Sequence, residues 1–296
     1  MFYRKLFIIL FVFLGFLSCK KQDPIIYPEI DRSINITDSI KIDNGVDMKN
    51  PIFNYVDLEN FLSHISSSDH FLIVPLKDFK NTASKDKVVI SLRHDVDDNI
   101  KAAVKFAYRE HKYGITASYY VLHTAKYYGQ KVGAVFVRND KIIYYLKTIQ
   151  DVFGHEIGIH NDLVTLQLMY EIPSREYLKE ELAYLRGNDI NIVGTTYHGS
   201  PYCSIYHYSN SYFWKEFGDT TQYIKKGFKT IKIEKDSLTS YNFLYEGAML
   251  NQDYFFSDSY FVNGKRWNMN MVNFDTIKPG KKVIILLHPQ HWNGDY

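Results

Sequence analysis

The residues best suited to chemistry stand in one stretch, Ser91-Leu92-Arg93-His94-Asp95-Val96-Asp97-Asp98. It follows the apolar run Val88-Val89-Ile90 and precedes a helical pattern that begins near Ile100. This order puts Asp95 and Asp97 at the carboxyl end of a buried strand, two residues apart. In a parallel α/β sheet that edge gathers ligands and catalytic groups. Side chains alternate in direction only while the strand persists. Past its end both acids can turn inward, one to ligate and one to stay free. Neighbouring carboxylates repel, and a cation between or beside them is the natural compensation. A metal held there would acidify water and polarise a carbonyl, while a spare carboxylate accepts a proton and an imidazole delivers one.

Four more segments place ionisable residues after apolar runs. They are Gly154-His155-Glu156-Ile157-Gly158-Ile159-His160-Asn161-Asp162, Tyr197-His198-Gly199-Ser200-Pro201-Tyr202, Phe256-Ser257-Asp258-Ser259 with Arg266-Trp267 following, and Leu287-His288-Pro289-Gln290-His291-Trp292. One strand-end histidine is ordinary. Five such segments in one chain imply convergence on one face of a sheet. His155 stands five residues before His160, so on an extended segment it points to the other face and reads as structural. His94 is expected to support the site from behind its ligands. Asp98 is expected to cap the helix that follows, and His123 and His291 to reach or line the cleft.

These groups need a scaffold, and the pattern supplies one. Apolar runs at 88–92, 115–122, 156–160, 192–197, 230–233, 254–256 and 283–287 alternate with helical segments at 100–112, 141–153 and 174–185. A short amphipathic helix at 57–65 opens the domain. Ser174 is expected to cap the third of the alternating helices, and Gly114 and Gly187 stand where helix C-caps belong. Strand and helix alternating at this spacing predict an α/β fold with a parallel sheet, most economically a (β/α) barrel or a distorted relative.

The chain has 296 residues, of which 46% are hydrophobic and 16% aromatic, enough for a sizeable core. Arg4 and Lys5, an apolar run at 6–17 and Ser18-Cys19 read as a signal peptide over 1–18, ending at a lipobox whose Cys19 is lipidated. Residues 19–50 read as a tether, and 51–296 as the catalytic domain. The expected location is the cell envelope, lipid-anchored, with the outer membrane or periplasmic face preferred. Removing Arg4 and Lys5 with the leader leaves basic and acidic residues equal in number, which argues against a nucleic-acid partner. With Cys19 lipidated, Cys203 has no disulfide partner within the chain.

The five segments together resemble the polysaccharide deacetylase superfamily, carbohydrate esterase family 4 and its relatives, in the branch with an Asp-x-Asp first motif, over residues 85–292. The Gly-His-Glu-Ile-Gly-x-His run and the last apolar strand ending in His are its most specific parts. The resemblance implies a distorted, incomplete (β/α) barrel whose divalent metal, zinc first, activates water against an acetyl group of a carbohydrate. It implies Asp95 as general base, His288 as general acid and Asp258 as the residue that tunes it. Asp97 and His160 become metal ligands, while Pro201, Tyr202 and Trp267 line the substrate groove, Tyr202 through a backbone N–H toward the oxyanion.

Two departures qualify it. The family's second metal histidine falls four residues after His160, at Val164, which cannot ligate. His198 or Asp162 is left to supply the third ligand, imidazole suiting zinc better. The arginine that orients the base in the third motif also has no counterpart there, since His198 opens that run. Hydrolysis of another non-peptide C–N bond, or glycan binding by a catalytically degenerate relative, are the competing functions.

Overall fold

The computed structural model describes residues 53–132 and 135–292, so the expected signal peptide, Cys19 and the whole of the tether lie outside the described residues. Numbering only the main-sheet strands, these are β1 (Phe71–Ile73), β2 (Val88–Val96), β3 (Ser118–Leu122), β4 (Glu156–Asn161), β5 (Ile192–Tyr197), β6 (Tyr245–Glu246), β7 (Tyr254–Ser257) and β8 (Lys282–Leu287). Seven of them run in the order β6-β5-β4-β3-β2-β8-β7 and curl into a parallel half-barrel, and β1 pairs alongside the first half of β2. All these pairings are parallel.

Strand β2 is buried along its whole length, as a central parallel strand covered on both faces must be. It pairs with β8 across residues 89–94 and with β3 across 93–96, so its carboxyl end stands among neighbours on both sides. Alternation assigns its faces. Val89 joins Tyr120, Tyr245 and Ile284 in a core cluster closed by Leu76 and Phe79 of a short helix, and Arg93 and Asp95 share its parity. His94 points the other way, where its ring meets Phe106 edge-on.

The helices are α1 (Tyr55–Ser67), α2 (Leu76–Phe79), α3 (Ile100–Lys112), α4 (Ile142–Lys147), α5 (Leu163–Tyr170), α6 (Ser174–Gly187) and α7 (Pro201–Tyr206). Helix α3 has the expected bounds, but Asn99 rather than Asp98 caps it, its side chain accepting the Ala102 N–H at 3.1 Å. Pro173 occupies the cap position of α6, and Ser174 is its first helical residue, donating its hydroxyl to Leu163 O at 2.6 Å. Gly114 follows the α3 cap at φ +67, in the left-handed region that favours glycine, whereas Gly187 remains inside α6. The run expected as a strand near 230–233 lies outside the half-barrel. It forms an antiparallel hairpin, Tyr223–Lys226 with Lys229–Lys232. No helix among the described residues is long and apolar enough to cross a membrane.

Candidate metal centre

Parallel strands present their carboxyl ends on one edge, and here those ends carry Asp95 and Asp97 (β2), His123 (β3), His160 (β4), His198 (β5), Asp258 (β7) and His288 (β8). Asp95 is held first. Arg93, two residues earlier on the same face, donates Nε to Oδ1 at 2.8 Å and Nη2 to Oδ2 at 2.6 Å, with both side chains buried. Burial pushes the Asp95 carboxyl upward. The fixed Arg93 charge and its forked hydrogen bonds, with His160 and His288 nearby, outweigh burial and hold it well below the usual carboxylate range.

Asp97, His160 and His198 each offer a ligand atom, all within 4.8 Å of one another. The tautomer of His160 follows from its partners. Its Nδ1 lies 3.1 Å from the Thr196 carbonyl oxygen and 3.0 Å from Thr196 Oγ1. A carbonyl only accepts, so Nδ1 carries a proton. In the neutral ring Nε2 then presents a lone pair to Asp97 Oδ1 at 3.3 Å and Asp95 Oδ2 at 3.4 Å. Lone pairs facing carboxylate oxygens repel unless a cation lies among them. Asp97 Oδ1 is buried without a hydrogen bond, which also fits a missing positive partner. Imidazole nitrogen with carboxylate oxygen is a donor set that divalent transition metals accept, zinc among them.

Of the two candidates for the third ligand, His198 is the one grouped with Asp97 and His160. Asp162 stands behind it, 3.2 Å from His198 Nδ1, and accepts from Thr124 Oγ1 at 2.7 Å and Asn210 Nδ2 at 2.8 Å. Burial would lower the His198 pKa, but Asp162 together with Asp97 and Asp95 raises it. Val164 is buried in the first turn of α5, where its N–H and that of Thr165 are both received by Asn210 Oδ1 at 3.0 Å. Asn210 thus caps α5 from a distant segment and also holds the His198 carbonyl at 2.9 Å.

The opposite wall is built from β7 and β8. His288 Nδ1 lies 2.6 Å from Asp258 Oδ1, and its Nε2 lies 3.7 Å from Asp97 Oδ2. Burial lowers the pKa of His288, yet the Asp258 contact and charge prevail and push it up to about 9. Asp258, buried and held down to about 2 by His288 and His291 against desolvation, keeps its charge. Asp258, His288 and His291 form a second group with ligand spacing. Its chemistry differs from the first. Asp258 Oδ2 already receives the His288 backbone N–H at 2.8 Å and Trp292 Nε1 at 3.2 Å, and Oδ1 meets His288. With those lone pairs engaged, Asp258 suits the stabilisation of a protonated His288 better than a cation.

Other expected residues fall elsewhere. Trp267 is buried and stacks on Phe256 at 5.2 Å, so its face is turned into the core and not toward the groove. Pro201 opens α7, and the Tyr202 N–H already donates to Ser200 Oγ at 3.3 Å, so it is not free for an oxyanion. Tyr202 leaves its ring half-exposed. His94 does not support the metal ligands. It pairs on the helix side of the sheet with the buried Glu110 at 2.7 Å, which also receives Tyr119 OH at 2.6 Å. His155 is structural as expected, lying 2.8 Å from Ala107 O and accepting the Ala117 N–H at 3.0 Å. His123 accepts the Asp162 N–H at 3.1 Å, and burial drops its pKa to about 4, so it stays neutral.

Arg93, Asn210 and Glu246 were missed. Arg93 carried a signal, a guanidinium inside an apolar strand at Asp95 minus two. Glu246, at the end of β6, lies fully buried, accepting the Tyr197 N–H and the Ala248 N–H at 2.8 Å each. Burial raises it to about 7 against the pull of Arg93. No protein-family model, curated protein or solved structure matches this chain significantly.

Proposed function

We propose that the protein is a metal-dependent hydrolase of the polysaccharide deacetylase type, removing acetyl groups from an amino sugar or acetylated glycan. The observation that carries this reading is the arrangement at one sheet edge. An arginine-clamped Asp95 and a protonated His288 flank the open triad Asp97, His160 and His198. A divalent metal bound by that triad would supply Lewis acidity toward an acetyl carbonyl and toward water.

The chain's own groups divide the proton work. Asp95 is ionised throughout the physiological range, so its carboxylate is always available to receive a proton. Its low basicity suits only a strongly acidified donor. His288 holds a proton at neutral pH and stands across Asp97, the position from which a leaving amine or alkoxide can be protonated. His160, fixed by Thr196 through Nδ1, keeps Nε2 directed at the triad. The leader and Cys19 support placement at the cell envelope through a lipid anchor, where acetylated glycan is at hand.

The test uses the purified full chain, with bound metal quantified and acetate release followed on acetylated sugar oligomers with and without chelator. Stoichiometric metal and chelator-sensitive release are expected, and Asp95→Asn should keep the metal while losing about 10²–10⁴-fold in rate. A His198→Ala chain with full metal occupancy would remove His198 from the ligand set. Glycan binding without metal or acetate release would favour the degenerate binding protein, which Val164 at the family's ligand position supports.

A further inference from the structure

We propose that the hairpin Tyr223–Lys226 with Lys229–Lys232 is a membrane-contact element that seats its tip on an anionic lipid surface. This does not depend on the hydrolase reading. Residues 221–233 contain Lys225, Lys226, Lys229 and Lys232 and no acidic residue. At the tip, Gly227 takes φ +60, the first position of a tight two-residue turn, and the next residue, Phe228, is fully exposed. An aromatic side chain projecting from a turn whose strands carry the outward-facing Lys225 and Lys232 matches the chemistry of a lipid headgroup boundary. The ring enters the apolar layer while ammonium groups meet lipid phosphates.

The two faces of the hairpin are set by its register. Ile224 opposes Ile231 and Lys226 opposes Lys229, on the face turned to the protein. Ile224 is buried, Lys226 Nζ donates to Leu168 O at 2.7 Å, and Lys229 pairs with Glu171 at 3.4 Å. Gln167 ties down the second strand by donating to Lys232 O at 2.8 Å. The other face carries Tyr223, Lys225, Thr230 and Lys232, all exposed. Phe228 is therefore presented by a braced support. Phe228 stands fully exposed at the tip, and a projecting apolar tip gains most from an apolar medium to enter. One aromatic tip with a few lysines makes a weak contact, which works beside a second attachment such as the lipid anchor read in the sequence.

The experiment reads the tip itself, so the leader does not confound it. The full chain carrying Phe228→Trp is reconstituted with vesicles of phosphatidylcholine and phosphatidylglycerol, and with phosphatidylcholine alone. Trp214, Trp267 and Trp292 are buried and give a constant background. On the anionic vesicles the new tryptophan should shift to shorter wavelength and be quenched by headgroup-proximal brominated lipid. The added pair Lys225→Glu and Lys232→Glu should weaken that response by about tenfold or more. An emission that stays water-like on both vesicles overturns the proposal, as does a response indifferent to lipid charge. A shift with soluble polyanion and none with vesicles overturns it in favour of a polymer partner.

Discussion

Arg93 and Asp95 share one face of β2, and the forked contact between them decides what Asp95 can do. A lysine at 93 would keep the charge and lose the fork, leaving Asp95 free to rotate. Arg93→Lys is expected to lower kcat by about ten- to a hundredfold with KM nearly unchanged, checked by steady-state acetate release. The resemblance places the base-orienting arginine in a later motif, so its supply from within β2 was hidden by the family pattern. Alternation along a strand would have found it. The tautomer of His160 and the distant cap from Asn210 had no such signal, because both depend on backbone atoms brought in by the fold. On the other wall, His288 is protonated because of Asp258. A general acid must hold its proton, so activity should fall as pH rises through about 9, the raised value of His288. Asp258→Asn removes the strongest group that raises it, leaving burial to lower it against the weaker pull of Asp95 and Asp97. The alkaline limb of the rate profile should then move to lower pH, and a limb that stays in place would exclude His288 as the acid.

Between the strands, two glycines set the curl at the level of the site. A methyl group on Gly158 of β4 would run into the Tyr120 ring of β3, and one on Gly194 of β5 into the Tyr245 ring of β6. Tyr120 sits level with Asp95 in the register and hydrogen-bonds Tyr245, itself bonded to the buried Glu156 at 2.6 Å. Neither ring can yield without disturbing that chain. Gly158→Ala is expected to destabilise the fold by about 1–3 kcal/mol through overpacking, read as a lower urea midpoint with an unchanged slope. At this scale the sequence was most readable where periodicity was strong. Helix α3 and strand β5 have the expected bounds. Strand β6 is only two residues long, too short to carry a pattern. The run at 230–233 alternates like a strand of the main sheet, and only the pairing of Lys229–Lys232 with Tyr223–Lys226 reveals a hairpin.

Across the whole molecule, the site draws its groups from residues 93 to 288, so no local segment contains it and folding alone assembles it. Parallel alternation was enough to foretell that these groups gather at one sheet edge, and the half-barrel then places the triad from β2, β4 and β5 opposite the Asp258–His288 pair of β7 and β8. Asp95, Asp97 and Asp162 are gathered around His160 and His198, and Asp97 Oδ1 lacks a donor. A cation bound only by the folded chain adds stability of about 2.7 kcal/mol at a hundredfold excess over its dissociation constant. For a domain of this size that corresponds to a rise in Tm of roughly 5–10 °C on adding zinc, reversed by chelator. Asp97→Asn should abolish the zinc-dependent rise and also lower the metal-free Tm, because, against burial, His160 and His288 hold the Asp97 carboxyl below its usual range and its charge therefore stabilises the fold. Asp258→Asn should retain most of the rise, since its carboxylate serves His288 and not the triad. Calorimetry of the three chains with and without zinc separates the two groups, and a rise lost in Asp258→Asn but kept in Asp97→Asn would move the metal to the second wall.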